Sequence, residues 1–140
     1  MANFSFDGFV SISHAMKKIE SLPSSLLSDI VEKQAEILVE AQEKKARAYG
    51  IVDTGKTIES VTSKISSKIG VGAQAVISFK GTRRRGKTTT RNAEIAFVNE
   101  YGKRGQPARP FVRDAMTESA AKMEKAALEL INGWLKENNL

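Results

Sequence analysis

The sequence predicts an α+β fold: a small antiparallel β-sheet packed with a long central helix and a long C-terminal helix. Three observations point to it. Over 23–49, Leu27, Ile30, Val31, Gln34, Ile37, Leu38, Ala41 and Ala48 recur at three- and four-residue steps, the spacing of one helix face. Over 60–69 and 74–80 β-branched residues dominate and the helical period is lost. From Phe111 to about Glu137 the helical stripe returns. At 140 residues the chain suits one domain, and we read 1–140 as a single unit with no linker and no internal repeat.

The elements follow in order. Residues 1–10 place Phe4, Phe6 and Phe9 in a short apolar lead-in, a strand or an extended arm. Ser11 or Ser13 suits the cap of a short helix through Ser21, with Ile12, Met16 and Ile19 on one side. Pro23 opens the long helix, where its fixed φ costs nothing, and Gly50 stops it. Two strands with a turn at 70–73 make a hairpin. Residues 81–91 read as a basic, solvent-exposed hairpin loop. Ala93, Ile95 and Phe97 alternate over 92–99, which predicts a third strand. Gly102, Gly105 and Pro107 mark a loop, and Pro110 suits the first turn of the last helix. That helix spans about 40 Å at 1.5 Å per residue.

Composition narrows the chemistry. There is no cysteine, so disulfides, thiolate metal sites and cysteine catalysis are excluded. His14 is the one histidine, so the familiar zinc arrangements fail as well. Residues 1–10 carry Asp7 and no basic residue, unlike a secretory leader, and no run approaches the roughly 18 apolar residues of a membrane span. The expectation is a protein made in the cytoplasm with no membrane partner. Twenty-two Lys and Arg stand against sixteen Asp and Glu, a net charge of +6, which suits an acidic partner without requiring one.

One stretch imitates a nucleotide site. Gly81-Thr-Arg-Arg-Arg-Gly86-Lys87-Thr88 matches G-x-x-x-x-G-K-[ST] letter for letter. A phosphate loop must also open a helix whose N-terminus holds the phosphate. Here Thr88-Thr-Thr-Arg-Asn follows, β-branched and polar. Arg83, Arg84, Arg85, Lys87 and Arg91 instead form the densest basic patch, able to touch phosphates without reading sequence. Glu94, Glu100 and Asp114 are scattered and do not pair for acid–base work. Trp134 and the Met116–Met123 pair lie on the helical stripe and suit packing. No catalytic, cofactor or metal residue is assigned.

Two further motifs carry more. Val52-Asp53-Thr54-Gly55 suits a tight turn between helix and sheet, because Asp caps local N–H groups and Gly accepts positive φ. Phe97-Val98-Asn99-Glu100-Tyr101-Gly102 is followed by Pro107-Ala108-Arg109-Pro110-Phe111, an aromatic–Gly turn and then a proline-fixed helix start. There Phe111 is expected to bury, and Arg109 to bond strand-end carbonyls or Glu100. In this order and spacing the motifs resemble the tail-component family of tailed phages that includes head–tail joining and tail-completion proteins. The resemblance spans roughly 26–135. It departs at Lys56-Thr57, where a Leu-Arg pair is common, and at Gly102-Lys103, where Gly-Thr is common.

The resemblance implies a non-enzymatic structural protein of the virion neck or tail, assembled in the bacterial host. Such proteins form rings, usually hexamers, and dock on tail-tube or terminator proteins and on head-closure or connector proteins. A tail terminator or head-closure protein is the alternative within that region. A small basic nucleic-acid-binding protein is the alternative from another class, with non-specific DNA contact through the basic patch. A closing ring needs two different faces on each subunit. The residues read as contacts are Trp134 and Leu135 on the last helix and a strand edge at Glu100 and Tyr101 that pairs with a neighbour.

Overall fold

A computed structural model describes residues 22–51, 61–68 and 72–139. The expected N-terminal arm and short helix, His14 and the Asp53-Thr54-Gly55 turn lie outside the described residues. Helix α1 spans Ser24–Ala48. Strands β1 (Val61–Lys68) and β2 (Gly72–Phe79) follow, then β3 (Thr82–Arg85) and β4 (Thr88–Arg91). Helices α2 (Asn92–Tyr101) and α3 (Phe111–Glu137) complete the chain. The fold is α+β, as the change of period predicts.

Helix α1 is central. It packs along α3 and against both strands of the β1–β2 ribbon. Leu26, Ile30, Ala35, Ile37, Gln42 and Ala46 are its buried positions, the inward stripe of an amphipathic helix. Its C-terminus closes as a Schellman motif: the Gly50 N–H donates to the Arg47 carbonyl at 3.1 Å and the Ile51 N–H to the Ala46 carbonyl at 2.9 Å. Gly50 takes φ +70, a value glycine reaches at little cost. Ile51 and Ala46 then join Ala96 and Phe111 in the main buried cluster, with Tyr49, Phe79 and Val112 packed on it. Phe111 is 1% exposed, and its ring meets Phe79 edge-on at 5.8 Å between centroids.

The β region is two separate two-stranded antiparallel ribbons. In the first, Val61 pairs with Phe79 and Lys68 with Gly72. In the second, Thr82 pairs with Arg91 and Arg85 with Thr88, leaving Gly86-Lys87 as a two-residue turn. Gly86 has φ +59 and Lys87 has no positive φ, which is the pattern of a type II′ hairpin turn. The stretch expected as a loop is therefore an ordered hairpin.

The third strand expected over 92–99 is a helix. Its alternation of Ala93, Ile95 and Phe97 is only three apolar residues long, and a competing 3.6-residue pattern runs through it. Asn92, Ala96 and Asn99 fall on one helical face and are the buried positions of α2. Both asparagines find partners there: Asn92 Nδ2 donates to the Lys80 carbonyl at 2.9 Å, and Asn99 Nδ2 to the Ile95 carbonyl at 2.8 Å. With Glu94 in the first turn, the helix dipole is also served. The strand-edge pairing expected at Glu100 and Tyr101 is overturned, because both residues end a helix and present no edge.

Candidate functional site

The motif residues from Phe97 to Phe111 converge where α2 turns into α3. Tyr101 ends α2, and Gly102 breaks it with φ +77. A Cβ at that position would lie 2.8 Å from both the Ala108 nitrogen and the Gln106 oxygen, so only glycine fits. The loop is pinned by reciprocal bonds between Lys103 and Gln106, at 3.0 and 2.9 Å. Pro110 then forms the middle of an inverse γ-turn, with φ −77 and ψ 68. The Phe111 N–H donates back to the Arg109 carbonyl at 2.8 Å.

The sequence suggests strand-end carbonyls or Glu100 as partners for Arg109; among the described residues its side chain bonds Asn99 and Tyr49 instead. Its Nη2 donates to Asn99 Oδ1 at 2.6 Å and its Nη1 to the Tyr49 carbonyl at 3.2 Å. Its own N–H donates to the Asn99 carbonyl at 2.6 Å. One side chain thus fastens α2, α3 and the end of α1. Glu100 has a different task. Its carboxylate accepts the Val112 N–H at 2.8 Å and the Arg113 N–H at 3.1 Å. These are two of the four donors a helix N-terminus leaves unsatisfied, and a carboxylate also suits the positive end of the dipole.

A second set of contacts ties α1 to α3. The Tyr49 hydroxyl donates to Asp114, and Lys45 forms an ion pair with Glu118. Arg113 Nε lies 3.3 Å from Asp114 Oδ1, and the Lys45 ammonium is 5.3 Å from the Tyr49 ring centre. The hydrogen bond holds Tyr49 in its neutral form, so its ionisation is pushed above the ordinary tyrosine value. The same bond holds the Asp114 carboxyl below its ordinary value. The Glu118 carboxylate raises Lys45.

The outward surfaces are of three kinds. On α2, Phe97 and Tyr101 are 62% and 69% exposed, with ring centroids 4.7 Å apart. Val76, Met116 and Leu128 are also exposed apolar residues. Trp134 and Leu135 are half-buried on α3. Between α1 and α3 runs an open groove of about 290 Å³, lined by Ile37, Ala41 and Ala48 together with lysines and glutamates, including Lys44 and Lys122.

The third surface is the β3–β4 hairpin. The sequence places five basic residues here on one exposed patch, but the strand alternation divides them. Arg83 is buried, whereas Arg84, Lys87 and Arg91 are exposed. Arg84 Nε donates to the Gly86 carbonyl at 3.0 Å. Arg91 Nε and Nη2 both donate to Glu94 Oε1, at 2.9 and 2.6 Å. That pairing lowers the Glu94 carboxyl below its ordinary value. The segment matching the phosphate-loop letters folds as strand, turn and strand, and Lys87 leads into β4 rather than a helix. The geometry that cradles phosphate is not formed. Among the described residues, no cluster of three or more His, Cys, Asp or Glu is placed to hold a metal ion. No described helix is long and apolar enough to cross a membrane.

Comparison with protein-family models, curated proteins and solved structures finds no match to this chain.

Sequence reasoning placed Gly102 in a turn and Arg109, Pro110 and Phe111 at a helix start. It missed Asn99 and Tyr49, which accept from Arg109, and it read Phe97 as one of three residues on one face of a strand. The Phe97–Tyr101 spacing of four was the available signal, since it places both rings on one face of a helix.

Proposed function

We propose that this chain is a structural subunit of a tailed-phage neck, a tail-completion or head–tail joining protein that works as one copy in a hexameric ring. Its partners are copies of itself, the tail-tube or terminator protein on one side and the head-closure or connector protein on the other. The work is done by complementary surfaces, with no reaction at the centre.

The observation that carries this reading beyond the resemblance is the Phe97–Tyr101 pair. Two large aromatic side chains, more than three-fifths exposed on one face of a ten-residue helix, are costly for a protein that stays alone in water. Aromatic anchors of this kind dominate binding energy at protein interfaces. The rigid brace beneath them supports the same reading. Two of the motifs that suggest the family, Phe97 to Gly102 and Pro107 to Phe111, hold Asn99, Glu100 and Arg109, which fix α2 against α3 and so support this face in one orientation.

The test is sedimentation and negative-stain microscopy of the purified chain, alone and mixed with tail tubes or portal-bearing heads from the phage that encodes it. Rings, or density at the neck of particles, are the expected result. Phe97→Ser with Tyr101→Ser is expected to abolish them while leaving the helical circular dichroism intact. A chain that sediments as a monomer throughout, and is absent from virions, overturns the proposal.

A further inference from the structure

The excess charge of this protein lies in one twelve-residue segment. Lys80, Arg83, Arg84, Arg85, Lys87 and Arg91 are six cations, and 80–91 contains no carboxylate. Removing them from twenty-two cations leaves sixteen against sixteen carboxylates, so the rest of the chain is neutral. The fold gathers this charge on the β3–β4 hairpin. The cross-strand pairs Thr82–Arg91 and Arg84–Thr89 share one face of the ribbon, and Arg83–Thr90 lies on the other. Thr82, Arg84, Thr89 and Arg91 are all exposed, whereas on the other face Arg83 is buried, Thr90 half-buried and Thr88, beside the turn, exposed. Lys87 extends the exposed face at the turn.

We propose that this exposed face binds the phosphate backbone of double-stranded DNA, with Arg84, Lys87 and Arg91 as the cations and the Thr82 and Thr89 hydroxyls as neutral donors. Arginine, lysine and threonine are the side chains that make phosphate contacts, and such contacts position a protein without reading sequence. A two-stranded ribbon is also narrow enough to follow the major groove, about 12 Å wide. An acidic protein partner fits less well. Protein interfaces are centred on apolar and aromatic anchors, and 80–91 holds no apolar side chain at all. Protein–DNA interfaces are more polar and more positive. Single strands are bound by aromatic stacking, and no aromatic ring lies on the hairpin.

The attachment of the hairpin leaves this face available. Its base is held by the Asn92 N–H on the Gly81 carbonyl at 3.0 Å and by Asn92 Nδ2 on the Lys80 carbonyl at 2.9 Å. Among the described residues, Glu94 is a carboxylate bonded to one of the ribbon's exposed cations, Arg91. A DNA phosphate takes its place as the acceptor for Arg91, so Glu94 weakens binding and its removal strengthens it.

The proposal does not depend on ring formation, because a lone copy carries the whole face. The experiment is fluorescence anisotropy of the full chain with labelled random-sequence duplex between about 50 and 200 mM salt. Each phosphate contact contributes about 0.9 to the slope of log affinity against log salt. Arg84→Gln with Lys87→Gln and Arg91→Gln is therefore expected to flatten the slope by about 2.7, and the three lost contacts together account for about a 40-fold change in affinity across that range. The control of equal net charge, Lys33→Gln with Lys125→Gln and Lys136→Gln on exposed helix positions, is expected to bind nearly as the parent does. Glu94→Gln is expected to bind more tightly. Duplex binding that is lost equally in both triple variants, or not detected at 50 mM salt, overturns the proposal. So does tighter binding to single strands, or displacement of duplex by polyglutamate at equal charge.

Discussion

The α2–α3 junction and the β3–β4 hairpin use the same side chain in opposite ways. At the junction, the Arg109 guanidinium is part-buried and bonded to Asn99 and to the Tyr49 carbonyl. On the hairpin, Arg84 and Arg91 are exposed, and their partners are the turn carbonyl of Gly86 and the surface carboxylate Glu94. Charge is identical in the two places; solvation differs. A polar group bonded out of water is strongly missed when its partner is removed. An exposed ion pair is worth little. The difference teaches that the motif arginine is part of the fold's bracing, while Arg84 and Arg91 make exposed bonds on which the fold depends little.

Substitutions can break this contrast. The largest effect is expected at Phe111, the most completely buried large side chain among the described residues. Phe111→Ala should lower unfolding stability by about 3–5 kcal/mol, read from urea denaturation. A loss below about 1 kcal/mol would place the ring outside the core. Next is Gly102→Ala, which forces a Cβ into the Ala108 and Gln106 backbone at positive φ; about 1–3 kcal/mol is expected from such strain. Arg109→Met should cost a similar or slightly smaller amount, about 1–3 kcal/mol, by leaving Asn99 Oδ1 without its donor. By contrast, the triple hairpin variant at Arg84, Lys87 and Arg91 should stay within about 0.5 kcal/mol of the parent. A hairpin variant as destabilising as Arg109→Met would erase the distinction between the two regions.

A pH series sharpens the junction side of the comparison. Tyr49 is raised in the fold, so its contribution is fully present below its ordinary value of 10.0 and is lost as pH rises through the higher folded value. Asp114 is lowered, so its contribution is present above its ordinary value of 3.8 and is lost as pH falls through the lower folded value. Tyr49→Phe removes the shared hydrogen bond. The variant's denaturation midpoint should therefore depend less on pH than the parent's in both windows. Parallel curves would show that the bond does not link the two titrations.

Much of the fold was legible because two signals agreed over long windows. Helix α1 reads from its period and from Gly50, and the Schellman closure shows why that glycine stops it. Helix α3 reads from Pro110 and the stripe through Leu135. The error at α2 has a physical cause. Five residues of alternation, 93–97, are too few to separate periods of 2 and 3.6, and the inward face of α2 sets two asparagines beside a single small apolar residue, Ala96. Buried asparagines look like surface residues in a sequence, and only the carbonyls and the arginine around them reveal their place. Arg83 misled for the same reason: a sequence cannot show which arginine of three in a row faces inward.

The sequence by itself determined the α+β class, the two long helices, the hairpin strands β1 and β2, and the burial of Phe111, because local periodicity and backbone restriction act within a few residues. The tertiary structure alone decided that α2 is a helix, that Arg109 bonds Asn99 and Tyr49, that Glu100 caps α3, and that Arg84 and Arg91 face water while Arg83 does not. Those outcomes depend on which groups from distant parts of the chain arrive to satisfy a hydrogen bond or exclude water, and that meeting exists only once the chain has folded.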